Sequence, residues 1–332
     1  MKKGLLLINL GTPDNSDVRS VRRYLAEFLA DPRVIDLPAV FRYTLLYGFI
    51  LPFRPRQSAH AYQAIWSEQG SPLLYFSQNL ARKVQQHLGN EWKVVLGMRY
   101  GNPSIKSALE HLKDCASLTV LPLFPQYSSA ATGSAIEKTL RCLTTQQVFP
   151  SLTVIRDFYQ HSGFIVPQAA LIAPYLSTHD HVLFSFHGLP ERHLHKEGCQ
   201  PVCSTACPAP TSGHAACYRA QCYATARALA GHLKLENQYW SVGFQSRLGK
   251  TPWISPYTDE RLNELAAQGV KRLLVCCPSF TADCLETLEE IGIRAKEQWM
   301  QCTGEALTLV PCLNDNETWI QGIKKIIDTY TR

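Results

Sequence analysis

Two sets of four short apolar runs, separated by stretches with helical spacing, restrict this chain to architectures built on parallel sheets. The first set reads GLLLINL from Gly4, KVVLGMRY from Lys93, SLTVLPLF from Ser117 and SLTVIRDF from Ser151. The second reads HVLFSFHGLP from His181, QYWSVGFQS from Gln238, RLLVCCPSF from Arg272 and ALTLVPCL from Ala306. Strands apolar on both faces need cover on both sides, and alternating helices supply the crossovers that parallel strands require. The intervening SDVRSVRRYLAEFLA, NPSIKSALEHL, AQCYATARALAGHL, DERLNELAAQ and ETLEEIGIRAKEQW carry apolar residues three and four apart, as amphipathic helices do. The pattern predicts two similar α/β domains, 1–160 and 161–314, with 315–332 a last helix packing back. One continuous sheet of eight strands is the alternative.

Composition narrows the function classes. A chain of 332 residues, 45% apolar, can bury a large core. Its net charge of +6 is scattered without a Lys/Arg run, so nucleic acid is not an expected partner. The start MKKGLLLINLGTP reads as a buried first strand and not as a leader, because its apolar run is short and no small-residue cleavage site follows. The longest uncharged stretch near the N-terminus, YTLLYGFILPF between Arg42 and Arg54, falls well short of the roughly 20 residues a spanning helix needs. A cytoplasmic protein is expected, at most peripheral to the inner membrane. Its twelve cysteines then sit in a reducing environment, where clustered thiols more often bind metal than form disulfides.

In open parallel sheets the ligand crevice lies beyond the carboxyl ends of the strands, so the strand exits carry the functional signal. No GxGxxG or GxxxxGK[ST] follows any run, which removes support for nucleotide binding through those loops. His187 ends one run and is followed by Gly188, which lets the backbone turn and leaves the imidazole facing the crevice. Asp283, Glu286 and Glu290 follow another run, and Glu286 and Glu290, four apart, share a helix face. Read singly, these are a structural histidine and a solvated acidic helix start. Together they suit a divalent cation or a proton relay.

These exits resemble the bacterial ferrochelatase family over nearly the whole chain, through LLLINLGTPD, GMRYGNPSI, PQYSSAATGS, SFHGLPERH, FQSRLGKTPWISPYTDE and CPSFTADCLETLEEI in that order. The resemblance implies two Rossmann-like, chelatase-like domains, each a four-stranded parallel sheet flanked by helices. It implies a lyase-type metal chelatase that inserts ferrous iron into protoporphyrin IX to form protohaem. His187 then matches the active-site histidine and Glu286 the carboxylate opposite, the two meeting the substrate iron, while Glu290 continues an acidic path. Leu10, Arg99, Tyr100, Tyr127 and Trp253 match residues lining the macrocycle pocket. Segment 39–66, which has no clear helix or strand period and holds Arg42, Arg54 and Arg56, matches a hydrophobic lip that could touch a bilayer. The arginines could pair with propionates. Porphyrin and ferrous iron are the implied partners of a monomer or homodimer. A coproporphyrin or cobalt chelatase of the same fold is the alternative, and a porphyrin or haem carrier with a redox-sensing cysteine loop is the reading from another class.

Segment 197–222 departs from the family's short connector. It carries Cys199, Cys203, Cys207 and Cys217 at C-x3-C-x3-C-x9-C spacing, then Cys222. Zinc sites usually show a two- to four-residue gap in each of two separated pairs, which this pattern, with Pro201, Pro208 and Pro210 between ligands, fits imperfectly, whereas four thiolates on a flexible loop suit a [2Fe-2S] cluster at least as well. Some family members carry such a cluster, the animal ones through a C-terminal extension, and those ligands do not carry over. The expectation is therefore [2Fe-2S] on Cys199, Cys203, Cys207 and Cys217, with Cys222 as substitute, zinc second, and free thiols third. Cys276, Cys277, Cys115 and Cys142 read as small core residues. Cys284, where some relatives have histidine, leaves a further metal ligand open.

Overall fold

The structure, a computed structural model, describes residues 2–210, 215–247, 249, 251–303 and 305–331. Strands β1 (Lys3–Gly11), β2 (Trp92–Tyr100), β3 (Ser117–Pro122) and β4 (Ser151–Val154) form one parallel sheet in the order β2-β1-β3-β4. Strands β5 (His181–His187), β6 (Trp240–Gln245), β7 (Leu273–Cys276) and β8 (Leu307–Leu309) form the other in the order β6-β5-β7-β8. Two four-stranded sheets with identical winding therefore replace the single continuous sheet.

Each sheet belongs to a compact unit with its own core. The first unit takes 2–124, 128–157 and 315–331 of the described residues, and the second takes Pro125–Tyr127 and Phe158–Asn314. In the first, alternation along β1 sends Leu6 and Ile8 to one face, where they meet Leu118 and Val120 of β3 and Ile105, Leu109 and Leu112 of helix Ile105–Leu112. Helix Pro72–Leu88 packs against β1 and β2, and the last helix, Glu317–Tyr330, packs on it. Lys83 ties their ends by pairing with Asp315 at 2.6 Å. In the second unit, Leu183 and Leu273 pack with Leu262, Leu265 and the fully buried Trp299. Each aliphatic side chain so removed from water contributes about 1.5–3 kcal/mol.

Segment 39–66 differs from its expected lack of period. It is helical from Ala39 to Ile65, with a π-helical turn at Leu46–Ile50. The spacing concealed this because the outward side is also apolar: Val40 and Phe53 are each 75% exposed, and Phe41, Tyr47 and Phe49 are exposed beside them. An apolar stripe is detectable only against a polar opposite face. Arg42 is buried there, and its Nη1 donates to the Leu37 carbonyl at 2.8 Å. No described helix is long and apolar enough to cross a membrane.

Candidate active site

The β6-β5-β7-β8 order reverses direction between β5 and β7, and open sheets of this kind hold ligands at that reversal, beyond the carboxyl ends. His187 is the last residue of β5 and pairs in register with Gln245, the last of β6. Its backbone is fixed from both sides. The N–H donates to Ser279 Oγ, just beyond β7, at 3.0 Å, and the carbonyl accepts the Tyr218 hydroxyl at 2.9 Å. The imidazole Nδ1 lies 2.6 Å from the Gly188 carbonyl, which can only accept, so Nδ1 carries the proton and Nε2 keeps its lone pair.

Gly188 is also needed for space. A Cβ there would meet the Gln245 carbonyl oxygen at 2.8 Å and the Trp253 ring at 3.3 Å. The Trp253 backbone is held there by an isolated bridge to Pro190.

The acidic segment is tied to the end of β6 through polar side chains that carry no signal in the sequence. The buried Gln245 amide accepts from Ser185 Oγ at 2.8 Å and donates to the Glu286 carbonyl at 2.7 Å, fastening the helix start to β6. The Cys284 thiol contacts the Glu286 side chain, and burial followed by the Glu286 charge holds that thiol well above its usual range. Protonated, it is a hydrogen-bond donor to the carboxylate. Glu290 opens a π-helical turn, Glu290–Ala295, marked by the bond from Arg294 N–H to the Glu289 carbonyl at 3.0 Å. The expected single α-helix over this stretch is thus Leu285–Leu288, this turn, and Lys296–Thr303. Ser246 donates to both Glu290 oxygens. A cavity of about 240 Å³ opens there, with Gln245, Ser246, Glu290 and Arg294 on its wall. Asp283 has a structural task, accepting from Asn314 Nδ2 at 2.7 Å and Thr287 Oγ1 at 3.1 Å.

The residues expected to line a macrocycle pocket are found in both units. In the second, the half-buried Tyr127 donates its backbone N–H to Gln221 Oε1 at 2.7 Å. In the first, Leu10 ends half-buried on β1. Arg99 pairs with the buried Asp31 and donates to Ser134 Oγ at 2.6 Å. Tyr100 is fully buried, its hydroxyl 2.9 Å from Asp31 Oδ2 and its ring under the Arg99 guanidinium at 4.3 Å. Burial would raise the Asp31 pKa; hydrogen bonds from Ser134 and the Arg33 N–H, with the Arg99 charge, outweigh it and hold the carboxyl below its ordinary value. Tyr100 thus shares Asp31 and Ser134 with Arg99.

Ser204, Thr205, Ala206, Pro208 and Ala209 of the cysteine insert are exposed, as in the flexible loop expected, whereas most of its cysteines are buried. Cys199, Cys207 and Cys217 are buried and Cys203 is half-buried. Burial first, then the Cys217 sulfur in hydrogen-bond contact and Cys203, push the Cys199 thiol up to about 11. Burial pushes Cys207 up to about 12, with Arg219 opposing and Cys203 and Cys217 adding. Cys222 is fully buried in helix Tyr218–His232, its thiol against the Tyr218 hydroxyl. The Cys199 and Cys217 thiols are thus in contact, with Cys203 and Cys207 near enough to influence them. Among the described residues no group of three or more His, Cys, Asp or Glu side chains could hold a metal ion.

Arg219, on the same helix, is fully buried beside them. Its Nη1 donates to Cys207 Sγ and to the Thr205 carbonyl, both at 2.8 Å. Nε and Nη2 donate to the Ser255 carbonyl at 3.1 and 2.8 Å, and Nη2 also to the Tyr223 hydroxyl at 3.4 Å. None of these acceptors is a carboxylate.

Comparison with known proteins matches residues 2–331 to the family model described as ferrochelatase. A ferrochelatase of Legionella pneumophila (strain Lens) is 60% identical over 328 residues, 99% of each chain. One of Coxiella burnetii (strain Dugway 5J108-111) is 50% identical over 332 residues, 98% of this chain and 93% of the relative. Among solved structures, SirB from Bacillus subtilis with Fe3+ superposes with a TM-score of 0.51 at 9% identity, covering 99% of this chain and 96% of that one, a likeness of fold.

Proposed function

The chain belongs to the ferrochelatase family, whose lyase-type reaction inserts ferrous iron into a porphyrin in haem synthesis, and on that premise we propose that His187 and Glu286 are its catalytic pair. Metallation removes two pyrrole protons and strips water from the incoming iron. His187 Nε2, left as an acceptor by the Nδ1 contact with Gly188, takes pyrrole protons from one side of the ring. Glu286 guides the cation and carries protons, and Glu290 extends the acidic path along the cavity wall. The observation that carries this reading is Gln245, the register partner of His187, whose amide also holds the Glu286 carbonyl. Two groups about a hundred residues apart are thereby fastened to one strand end.

The ring we assign is protoporphyrin IX, contacted by Leu10, Arg99, Tyr127 and Trp253, with Tyr100 acting through Arg99. The exposed apolar side of segment 39–66 suits a ring with few carboxylates and could rest on a membrane surface where such a ring partitions, the protein being otherwise cytoplasmic. We read the insert as the holder of a [2Fe-2S] cluster on Cys199, Cys203, Cys207 and Cys217, with zinc as the second choice. What supports this is the contact of the Cys199 and Cys217 thiols and the nearness of Cys203 and Cys207 to them. When bound, the group supplies a one-electron couple and a cross-link through the loop, and it takes no part in porphyrin chemistry.

Initial rates with ferrous iron and cobalt, on protoporphyrin and coproporphyrin side by side, test the assignment. Iron insertion into protoporphyrin should be fastest. Failure to metallate either ring defeats the reading, and so does His187→Ala with undiminished turnover.

A further inference from the structure

The reaction makes no use of Arg219, yet a fully buried guanidinium whose acceptors among the described residues are all neutral is costly unless an anion completes it. The sulfur of Cys207, 2.8 Å from Nη1, is a ligand of the proposed cluster and would bring that negative charge with the bound group. Resting on the reading of the insert as a cluster site, we propose that Arg219 is the cluster's counter-charge and a determinant of its reduction potential. Four thiolates outweigh the two positive charges of an oxidised [2Fe-2S] core, so the bound group is net negative, and its sulfurs attract the buried cation. Reduction adds one electron from an external reductant and makes or breaks no bond, so it deepens that negative charge. A fixed positive neighbour stabilises the reduced form more than the oxidised one and holds the potential up. The guanidinium is fastened by its other donors to Thr205, Ser255 and Tyr223, and it lies over the Tyr223 ring at 4.8 Å, so it is positioned before any cluster assembles.

The test uses anaerobically purified full-length protein, with iron and acid-labile sulfide assays, and a dithionite titration followed by electron paramagnetic resonance. Wild type should hold two irons and two sulfides per chain. Arg219→Met, which keeps bulk and removes charge, should show a reduced-to-oxidised ratio about tenfold lower at a fixed poise, ~59 mV for one electron. Arg219→Lys should stay nearer wild type. If wild type carries no labile sulfide, the cluster reading fails and this role falls with it. If wild type carries the cluster and Arg219→Met has the same occupancy and potential, only the role of Arg219 is overturned. Should Arg219→Met not fold, or lose the cluster, pulsed resonance on reduced wild type labelled with guanidino-15N arginine decides. A 15N coupling supports the contact, and its absence overturns it.

Discussion

Ser246 holds both oxygens of Glu290, its backbone N–H donating to Oε1 at 2.7 Å and its hydroxyl to Oε2 at 2.6 Å. It does so from a left-handed backbone, φ 67, which costs a residue with a Cβ about 1–3 kcal/mol. The β6 exit is thus bent out of the ordinary to meet a carboxylate on the π-helical turn. Glu290 is fixed in place, whereas Glu286, one turn earlier, is fixed by its backbone through Gln245 and meets the Cys284 thiol at its side chain.

Removing the hydroxyl should therefore loosen the acidic path without disabling the proton acceptor. Ser246→Ala deletes one of two donors, a loss of about 1 kcal/mol, or roughly fivefold. It should appear in KM for ferrous iron with kcat within about twofold of wild type, and Glu290→Gln should act in the same direction. Steady-state kinetics at varied iron check this. A fall in kcat at unchanged iron KM would place Glu290 in the proton-transfer step instead.

His187→Ala should cut kcat by about 10²- to 10⁴-fold, the usual worth of a positioned base. Porphyrin affinity, read by fluorescence quenching, should change by less than about threefold, since Trp253 and the apolar wall remain. A porphyrin carrier would show no turnover in wild type and no comparable contrast.

The strands were legible because buried parallel strands are apolar on both faces, and no other element produces runs such as LLLINL or VLFSF so regularly. The reactive groups were legible at strand exits, where turn chemistry gives no reason for a histidine or paired glutamates. Their supports were not. Gln245 and Ser246 lie in FQS, where a serine after a strand reads as a turn residue, and only the fold shows which carboxylate each one meets. In the insert the loop was legible, and Pro201 and Pro208 are exposed, but nothing in the cysteine spacing shows that Cys199, Cys207 and Cys217 turn inward and are buried.

Two glycine substitutions should act with opposite sign. Gly188→Ala puts a Cβ 2.8 Å from the Gln245 carbonyl, and backbone must shift at the His187 turn. The expected loss is about 1–3 kcal/mol of stability, with Trp253 displaced and activity reduced. Gly231→Ala, in helix Tyr218–His232 with nothing within 4 Å of its Cβ, should gain about 0.5–1 kcal/mol at unchanged activity. Thermal unfolding of the two variants beside wild type measures both.

Stability should decline on the acid side through His181. This imidazole is buried on β5, with Nε2 2.9 Å from Ser241 Oγ. Burial, aided by the positive charge of Arg261, lowers its pKa from 6.5 to about 4. Above pH 6.5 neither the folded nor the unfolded chain protonates this group, so it contributes nothing there. Below that, the unfolded chain takes a proton that the folded one refuses, and stability falls until about pH 4, where the folded form accepts it too. At 1.36 kcal/mol per pKa unit the full loss is about 3 kcal/mol, of which about 2 kcal/mol accrues between pH 6.5 and 5. His181→Gln keeps a partner for Ser241 and cannot titrate. Urea unfolding at pH 7.5 and pH 5 should therefore show wild type losing about 2 kcal/mol more than the variant. Equal losses would mean that the native fold already admits the proton at His181.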